Sequence, residues 1–313
     1  MNLVFLGTPG FAVPTLRALV TGGHRVLAVY TQPDRPKGRG GKTTASPVKE
    51  AALGLGLAVE QPERVRRPES VVALRALAPD AMVVVGYGQI IPQSIIDIPR
   101  LGIINVHASL LPKYRGAAPI QWAIANGEQR TGVTTMQIDA GLDTGGMLLK
   151  WETEIGAEEN ALELSDRLAP AGADLLVQTL DGLAAGTLKA EPQANAQATL
   201  APILKKEDGQ IDWTWPAAKI FNRTRGFLPW PGAYSSFRGQ LFHVWRARVA
   251  AETGSRRPGS IWADKKRLLV QAGDATVLEL IEVQVEGRKR MAADAFVNGQ
   301  RLDENEMLGE TNE

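Results

Sequence analysis

Asn105 and His107 stand two residues apart in the run INVHASLLPKYRGAAPIQWAI (Ile104–Ile124), and His107 is one of only three histidines in a chain of 313 residues. Side chains of an extended strand alternate between faces, so this spacing points both residues the same way. An amide donor beside an imidazole suits attack on a carbonyl carbon. Asn can donate an N–H to the developing oxyanion, and His can donate a second bond or move a proton. A histidine in that role needs an acidic partner to set its charge or tautomer. Asp139 and Asp143, in QIDAGLDTGGML (Gln137–Leu148), are the candidates. Asp143 is preferred because glycines flank it on both sides and let the backbone turn tightly against a ligand. Each residue also has a plainer use. A strand histidine is often a packed, hydrogen-bonded core residue, and Asn or Asp beside glycines commonly shapes a turn.

Other chemistries are excluded or weakened by what is missing. The chain has no cysteine, which removes disulfides, thiolate catalysis and Cys-zinc sites. There is no HExxH and no histidine cluster, so no metal is expected. Ser109 lies close to His107 but has no GxSxG around it. GTPG (Gly7–Gly10) lacks the GxGxxG spacing of a dinucleotide fingerprint and reads as a tight strand-to-helix turn.

The elements that must carry Asn105 and His107 are read from apolar periodicity. NLVFL (Asn2–Leu6), RVLAVYT (Arg25–Thr31), LAVE (Leu57–Glu60), AMVVVG (Ala81–Gly86) and GIINVHA (Gly102–Ala108) are short apolar runs of strand type. Helices are expected through Ala12, Leu16, Leu19 and Val20, from Pro47 with Ser46 as N-cap, and over Glu69–Ala78. Strands alternating with helices predict an α/β domain with a doubly wound, mostly parallel sheet covered on both faces. In such sheets ligands bind beyond the carboxyl ends of the strands, which is where NVHA lies. This domain is assigned to residues 1–186. Residues 187–204, rich in Ala and Gln, read as a linker and as the expected site of easiest proteolysis.

From 205 to 313 the pattern changes. AYSSFRGQLFHVWRARVA, GSIWAD, RLLVQAGDATVLELIEVQVEG and DAFVNG are runs rich in β-branched and aromatic residues, divided by Gly and Asp turns. They predict a small antiparallel barrel of the oligonucleotide-binding (OB) type, or a sandwich. Trp213, Trp215, Trp230, Trp245 and Trp262 suit a barrel core or an interface, with base stacking as the alternative. His24 and His243 read as structural.

Net charge is only +1, but it is unevenly spread. Arg35, Lys37, Arg39 and Lys42 crowd one loop beside the single acid Asp34. From Lys206 to Leu302, 16 Lys and Arg face 10 Asp and Glu. Such patches attract a polyanion, or else form an ordinary solvated surface. No apolar run reaches the roughly 18 residues of a membrane span. No basic segment precedes the first apolar run, so no signal peptide is expected. A cytoplasmic protein and, by default, a monomer are expected.

Taken together, NVHASLLPKYRGAAPIQWAI followed by TGVTTMQIDAGLDTGGML resembles the folate-dependent formyltransferases. The match combines N-x-H, the S-L-L-P-x-Y-R-G loop and an aspartate in D-x-G-x-D-T-G. The resemblance implies a Rossmann-like formyltransferase domain and 10-formyltetrahydrofolate as co-substrate. It implies that Asn105, His107 and Asp143 are the catalytic residues. The folate would lie against Ser109, Leu110, Leu111 and Pro112, and against Gly86, Tyr87 and Gly88.

Two further stretches resemble the branch of the family that formylates methionine on initiator methionyl-tRNA for translation initiation. TQPDRPKGRGGKTTASPVK (Thr31–Lys49) is similar to its inserted basic loop, in which Arg39 would make the deep tRNA contact with Arg35, Lys37 and Lys42 around it. KKEDGQIDWTWPAAKIFNRTRGFLPWPGAY (Lys205–Tyr234) is similar to the start of its C-terminal, tRNA-binding barrel, although Leu228 stands where Asn is expected. The rivals are formylation of a small amine, such as an amino-sugar nucleotide or glycinamide ribonucleotide, and a nucleic-acid-binding protein that has lost catalysis. The C-terminal region and the basic loop argue against the first, and the presence of all three polar residues argues against the second.

Overall fold

The structure is a computed structural model that describes residues 1–36 and 43–309. The chain forms two compact units. The first comprises Met1–Pro119, Arg130–Glu154 and Ser165–Pro202; the second comprises Ile120–Gln129, Ile155–Leu164 and the chain from Ile203 onward.

The first unit is built on strands β1 (Asn2–Gly7), β2 (Arg25–Tyr30), β5 (Val59–Glu60), β6 (Ala81–Val85), β7 (Ile103–His107), β8 (Arg130–Gln137) and β9 (Met147–Glu154). A two-stranded ribbon, β3 (Arg35–Pro36) with β4 (Thr43–Thr44), lies between β2 and β5 in the chain. The seven-stranded order is β5-β2-β1-β6-β7-β8-β9. The pairings from β5 through β7 are parallel, and β8 and β9 are added antiparallel. Every residue of β6 and β7 is buried, as continuous apolar runs require when a sheet is covered on both faces.

Helices α1 (Val13–Thr21), α2 (Pro47–Gly54), α3 (Pro68–Leu77) and α4 (Gln93–Ile96) fall between the parallel strands. At α2 the Ser46 hydroxyl accepts from the Lys49 amide at 3.0 Å with Pro47 in the first turn, the cap read from the sequence. The chain reaches β6 by crossing from the β5 edge to the far side of β1. That reversal puts a crevice outside the carboxyl ends of β1 and β6, next to the end of β7.

After α5 (Pro119–Ala125) and the β8–β9 hairpin comes α6 (Ala161–Ala184). Its Gly172 lies against the face of β7 opposite Asn105 and His107. A Cβ there would stand 2.9 Å from Val106 Cγ1 and 3.3 Å from Val133 Cγ1, both on fully or nearly fully buried valines.

Residues 187–202 do not form a free linker. Met147 and Glu191 exchange backbone hydrogen bonds at 2.8 Å in each direction, Arg115 donates its amide to Thr199 O at 2.9 Å, and Ala201 donates back to Arg115 O at 2.7 Å. Backbone pairing of this kind needs no apolar pattern, which is why an Ala- and Gln-rich tract reads as a spacer.

The second unit contains α7 (Ala217–Gly226), β10 (Ala233–Phe237), β11 (Gln240–Thr253), β12 (Ile261–Asp264), β13 (Arg267–Gln271), β14 (Thr276–Val285), β15 (Met291–Ala292) and α8 (Ala293–Gly299). The antiparallel order is β10-β11-β14-β13-β12, with β15 on β14. The two outer strands are joined through the C-terminal segment. Phe237 at the end of β10 bridges Leu308, and Ser260 beside β12 bridges Met307. This sheet encloses Phe237, Phe242, Val244, Leu268 and Phe296. DAFVNG, expected among the β-type runs, is helix α8. Ala293 and Phe296, three residues apart, share its buried face.

In the same unit Trp122 on α5 meets Phe227 edge-on at 5.2 Å, and Arg225 donates to Gly156 O and Glu159 O at 3.0 and 2.8 Å. The chain therefore contributes to this unit well before residue 205. Trp213 is a core residue whose Nε1 donates to Ser235 Oγ at 3.0 Å. Trp215, Trp245 and Trp262 each lie under a cation, and Trp230 is exposed. His243 stacks on Trp245 at 5.5 Å, and burial pushes its pKa down.

The Gly172 contact predicts that Gly172→Val destabilises the first unit by about 1–3 kcal/mol, the usual cost of overpacking a filled core. Urea unfolding followed by near-ultraviolet circular dichroism measures the shift, and an unchanged midpoint would show that α6 can move off the sheet freely.

Candidate active site

Asn105 and His107 lie at the carboxyl end of strand β7 and are 8% and 5% exposed. Both face Asp143, which sits in the loop joining β8 to β9. Asn105 Nδ2 donates to Asp143 Oδ1 at 3.3 Å, and His107 Nδ1 lies 3.7 Å from Asp143 Oδ2. His107 Nε2 is 2.8 Å from the Tyr114 carbonyl oxygen. A carbonyl oxygen can only accept, so Nε2 carries the proton. In the neutral ring the lone pair is then on Nδ1, directed at the aspartate. Of the two acids considered, Asp139 is engaged elsewhere. It accepts from Gly141 N at 3.0 Å and Thr144 Oγ1 at 2.7 Å, closing a local Asx turn.

Asp143 is held by backbone as much as by side chain. Its φ is +51°, in the left-handed region that non-glycine residues seldom occupy. The Gly116 amide donates to Asp143 Oδ2 at 2.9 Å. Gly116 has φ +122°, and a Cβ on it would sit 2.6 Å from Ala201 O, so only glycine presents its N–H in this way. Gln193 donates through Nε2 to both Asp143 O and Gly145 O at 2.8 Å. The Gln193 oxygen accepts from Arg115 Nε and Nη2 at 3.0 and 2.7 Å, and Arg115 Nη2 also reaches Asn195 Oδ1 at 2.8 Å. Tyr114, also at positive φ, donates its amide to Thr199 Oγ1 at 2.9 Å.

Ser109–Pro112 forms the next turn and contains the cis Leu111–Pro112 peptide. Ser109, Leu111 and Pro112 are buried, and Leu110 is partly exposed. The Ser109 hydroxyl donates to Lys113 O at 2.6 Å, Thr134 Oγ1 donates to Ser109 O at 2.7 Å, and Lys150 Nζ donates to Leu111 O at 2.7 Å. The loop is thus internally bonded, and the Ser109 hydroxyl is committed within it. At the end of β6, Gly86 and Gly88 adopt positive φ. Tyr87 between them turns its ring into the core, where burial pushes the phenol pKa well up. Its carbonyl accepts from Thr8 Oγ1 and Gln32 Nε2, both at 3.1 Å.

The basic stretch is described only at its base. Thr31 Oγ1 and Ser46 Oγ are 2.7 Å apart, and Lys49 Nζ bonds Asp34 at 2.5 Å, which holds that carboxyl below its usual range. Arg35 is exposed on the ribbon, 3.9 Å from Glu63. Lys37, Arg39 and Lys42 lie outside the described residues. Leu228 follows α7 and is joined to Pro229 by a cis peptide.

Asn105, His107 and Asp143, picked out from the sequence, are thus brought together. Arg115 stood in the quoted S-L-L-P-x-Y-R-G loop without a role, and Gln193, Asn195 and Thr199 were missed. The signal of these three was faint: two polar amides and a threonine in an otherwise Ala-rich tract. As chemistry, the cluster offers an amide donor, an imidazole with its lone pair on one defined nitrogen, and a carboxylate beside it. That set fits a carbonyl group gaining negative charge while a nitrogen nucleophile loses a proton.

Comparison with known proteins bears on the whole chain. Residues 1–180 match the formyl transferase family and residues 203–301 match the formyl transferase C-terminal domain. A protein of Solibacter usitatus named methionyl-tRNA formyltransferase is 66% identical over 310 residues, covering 99% of each chain. A Koribacter versatilis protein of the same name is 59% identical over 310 residues, again covering 99% of each. Among solved structures, a sugar 3N-formyl transferase, WlaRD, determined in the presence of dTDP and 5-N-formyl-THF, is similar with a TM-score of 0.68. It is 16% identical and covers 92% of this chain and 99% of its own, a likeness of fold. From its two matched domains and its end-to-end identity to these relatives, the chain belongs to the formyl transferase family.

Proposed function

We propose that this protein transfers the formyl group of 10-formyltetrahydrofolate to the amino group of methionine on initiator methionyl-tRNA, acting as a monomer in the cytosol. The observation that carries the reading is the convergence of Asn105 Nδ2, His107 Nδ1 and the Asp143 carboxylate at the carboxyl end of β7. Identity of 66% along the whole chain to a relative named for that activity supports the choice of acceptor.

The folate supplies an activated formyl carbon, and the residues of this chain do the rest. Asn105 Nδ2 has two hydrogens. One points to Asp143, and the other is left to donate to the formyl oxygen as charge builds there. The attacking amine must lose a proton as its nitrogen bonds to the formyl carbon. His107 Nδ1 accepts that proton, because Nε2–H is committed to Tyr114 O. The imidazolium so formed faces the Asp143 carboxylate, which stabilises it. The same proton then passes to the folate nitrogen as the old carbon–nitrogen bond breaks. The Ser109–Pro112 turn and the Gly86–Gly88 turn flank this point and form the walls on which the folate rests.

Acceptor recognition is assigned to the basic loop. Arg35, Lys37, Arg39 and Lys42 grip phosphates at the acceptor end, with Arg39 reaching deepest. The excess of cations between Lys206 and Leu302 adds a sequence-independent hold on the tRNA.

Formylation of radiolabelled methionyl initiator tRNA, with an amino-sugar nucleotide and glycinamide ribonucleotide alongside, tests the proposal. Transfer to a small amine and none to the tRNA would overturn the acceptor; no transfer at all would overturn the reaction. Asn105→Ala should lower kcat by about 10²–10³-fold, the usual loss for one oxyanion donor. His107→Ala should lower it by about 10²–10⁴-fold, the range for a general base. KM should change little in either case. A wild-type kcat in either variant, measured at saturation, would remove that residue from the chemistry.

Arg39→Ala should instead raise KM for the tRNA and leave that for the folate unchanged. It should also reduce the slope of log affinity against log salt by about one, as the loss of one phosphate contact predicts. Equal salt slopes for the two proteins would show that Arg39 does not meet a phosphate.

A further inference from the structure

Three features outside the reacting cluster invite a role. The open groove lined by Asp212, Trp213, Trp215, Arg257 and Met307 belongs to the second unit, and nothing in the structure shows what occupies it. The buried His243 Nδ1 has no hydrogen-bond partner, yet its aromatic and cationic neighbours belong to the surface already assigned to nucleic acid. The third feature is the segment that follows α6, and it carries an argument through to a test.

Gln193 is 9% exposed, and both ends of its amide are used. Its two N–H bonds go to the carbonyls of Asp143 and Gly145, one on each side of the glycine-rich turn that presents the aspartate. Its oxygen takes two N–H bonds from Arg115, itself 7% exposed and without a carboxylate partner among the described residues. Arg115 lies between Tyr114, whose carbonyl fixes Nε2 of His107, and Gly116, whose amide fixes Asp143 Oδ2. One side-chain amide thus ties together the two turns that hold the partners of His107. Asp143 sits at positive φ, a conformation that persists only where its surroundings enforce it.

We infer that Gln193 is a positioning residue for the transfer reaction: it fixes the Asp143 turn against the Tyr114–Gly116 turn and so sets the distance from Asp143 to His107. The inference rests on the reading of Asn105, His107 and Asp143 as the reacting residues. Gln193 touches none of the reacting atoms and acts only through the Asp143 backbone.

The variant that separates positioning from general support is Gln193→Glu. A carboxylate there still accepts from Arg115, and more strongly, but cannot donate to Asp143 O and Gly145 O. Gln193→Met keeps the length and removes both functions, so it serves if the first variant fails to fold. Three quantities are read on the full-length protein. Gln193→Glu leaves the Asp143 and Gly145 carbonyls without a donor, so its thermal unfolding should fall somewhat, and the other two readings are taken well below that transition. At saturating methionyl-tRNA and 10-formyltetrahydrofolate, kcat should fall by at least about tenfold, with both KM values within about twofold, as expected for a misplacement of well under 1 Å. Amide hydrogen exchange should quicken at Gly116, whose N–H bonds Asp143, and stay unchanged at the Leu149 amide in β9.

A variant with parental kcat and parental Gly116 exchange would overturn the inference. So would a loss confined to KM or to thermal stability. If the parent protein itself formed no formylmethionyl-tRNA, the acceptor reading would fall, and the exchange at Gly116 would still decide whether Gln193 fixes the turn.

Discussion

The bond from His107 Nε2 to the Tyr114 carbonyl sets the terms for everything around it. A carbonyl oxygen has no proton to give, so this contact alone assigns the ring hydrogen and leaves Nδ1 as the nitrogen that can accept another. Once that is decided, the carboxylate must lie on the Nδ1 side, and Asp143 does. The amide of Asn105 must lie on the same side of the strand as the ring, and the two-residue spacing ensures it. Burial to 5% and 8% exposure keeps water from competing for these donors and acceptors, and strengthens each polar contact relative to its value in water.

Precision of this kind needs support at several ranks. The parallel strands provide the rigid base, because every residue of β6 and β7 is buried. Close approach of α6 at Gly172 fixes β7 from behind. The turns beyond the strands are held mainly by side chains that bond backbone: Thr134 and Lys150 on the Ser109–Pro112 turn, Gln193 on the Asp143 turn, and Thr199 on the Tyr114 amide. Bonds of this sort are each modest in net energy, yet leaving their buried partners unmet costs considerably more. They specify a geometry more than they add stability.

The parallel strands were legible because continuous apolar runs leave little alternative, and α2 was legible because Ser46-Pro47 is a cap with one mechanism. The pair Asn105–His107 was legible from spacing, and Asp143 over Asp139 from the glycines around it. Strand β9 was not, since only one residue of MLLKWETE is buried and its outward Lys and Glu hide the pattern. The joining of the barrel edges by Met307 and Leu308 was hidden in a tail that reads as merely acidic. Helix α8 was mistaken because six residues with Phe and Val suit either element, and only packing decides. The segment from Glu191 to Ala201 was illegible for a deeper reason. Apart from the Arg115 side chain, its partners are backbone carbonyl and amide groups, which every residue possesses, so little in the facing sequence announces them.

That last feature bears on how such chains can be recombined. The segment lies between the stretches matched to the two family domains, residues 1–180 and 203–301, and would look like the natural splice point for a chimera. Joining a foreign acceptor module after Gly186 would discard Gln193 and Thr199 with it, while joining after Pro202 would retain them. Because Gln193 bonds main-chain oxygens, it would tolerate a donor whose Asp143 turn differs in side chains, provided the path of the backbone is kept. Drift in the turn and constancy in the strap are therefore compatible, and the inheritable unit of the reacting site ends some twenty residues beyond the end of its family match.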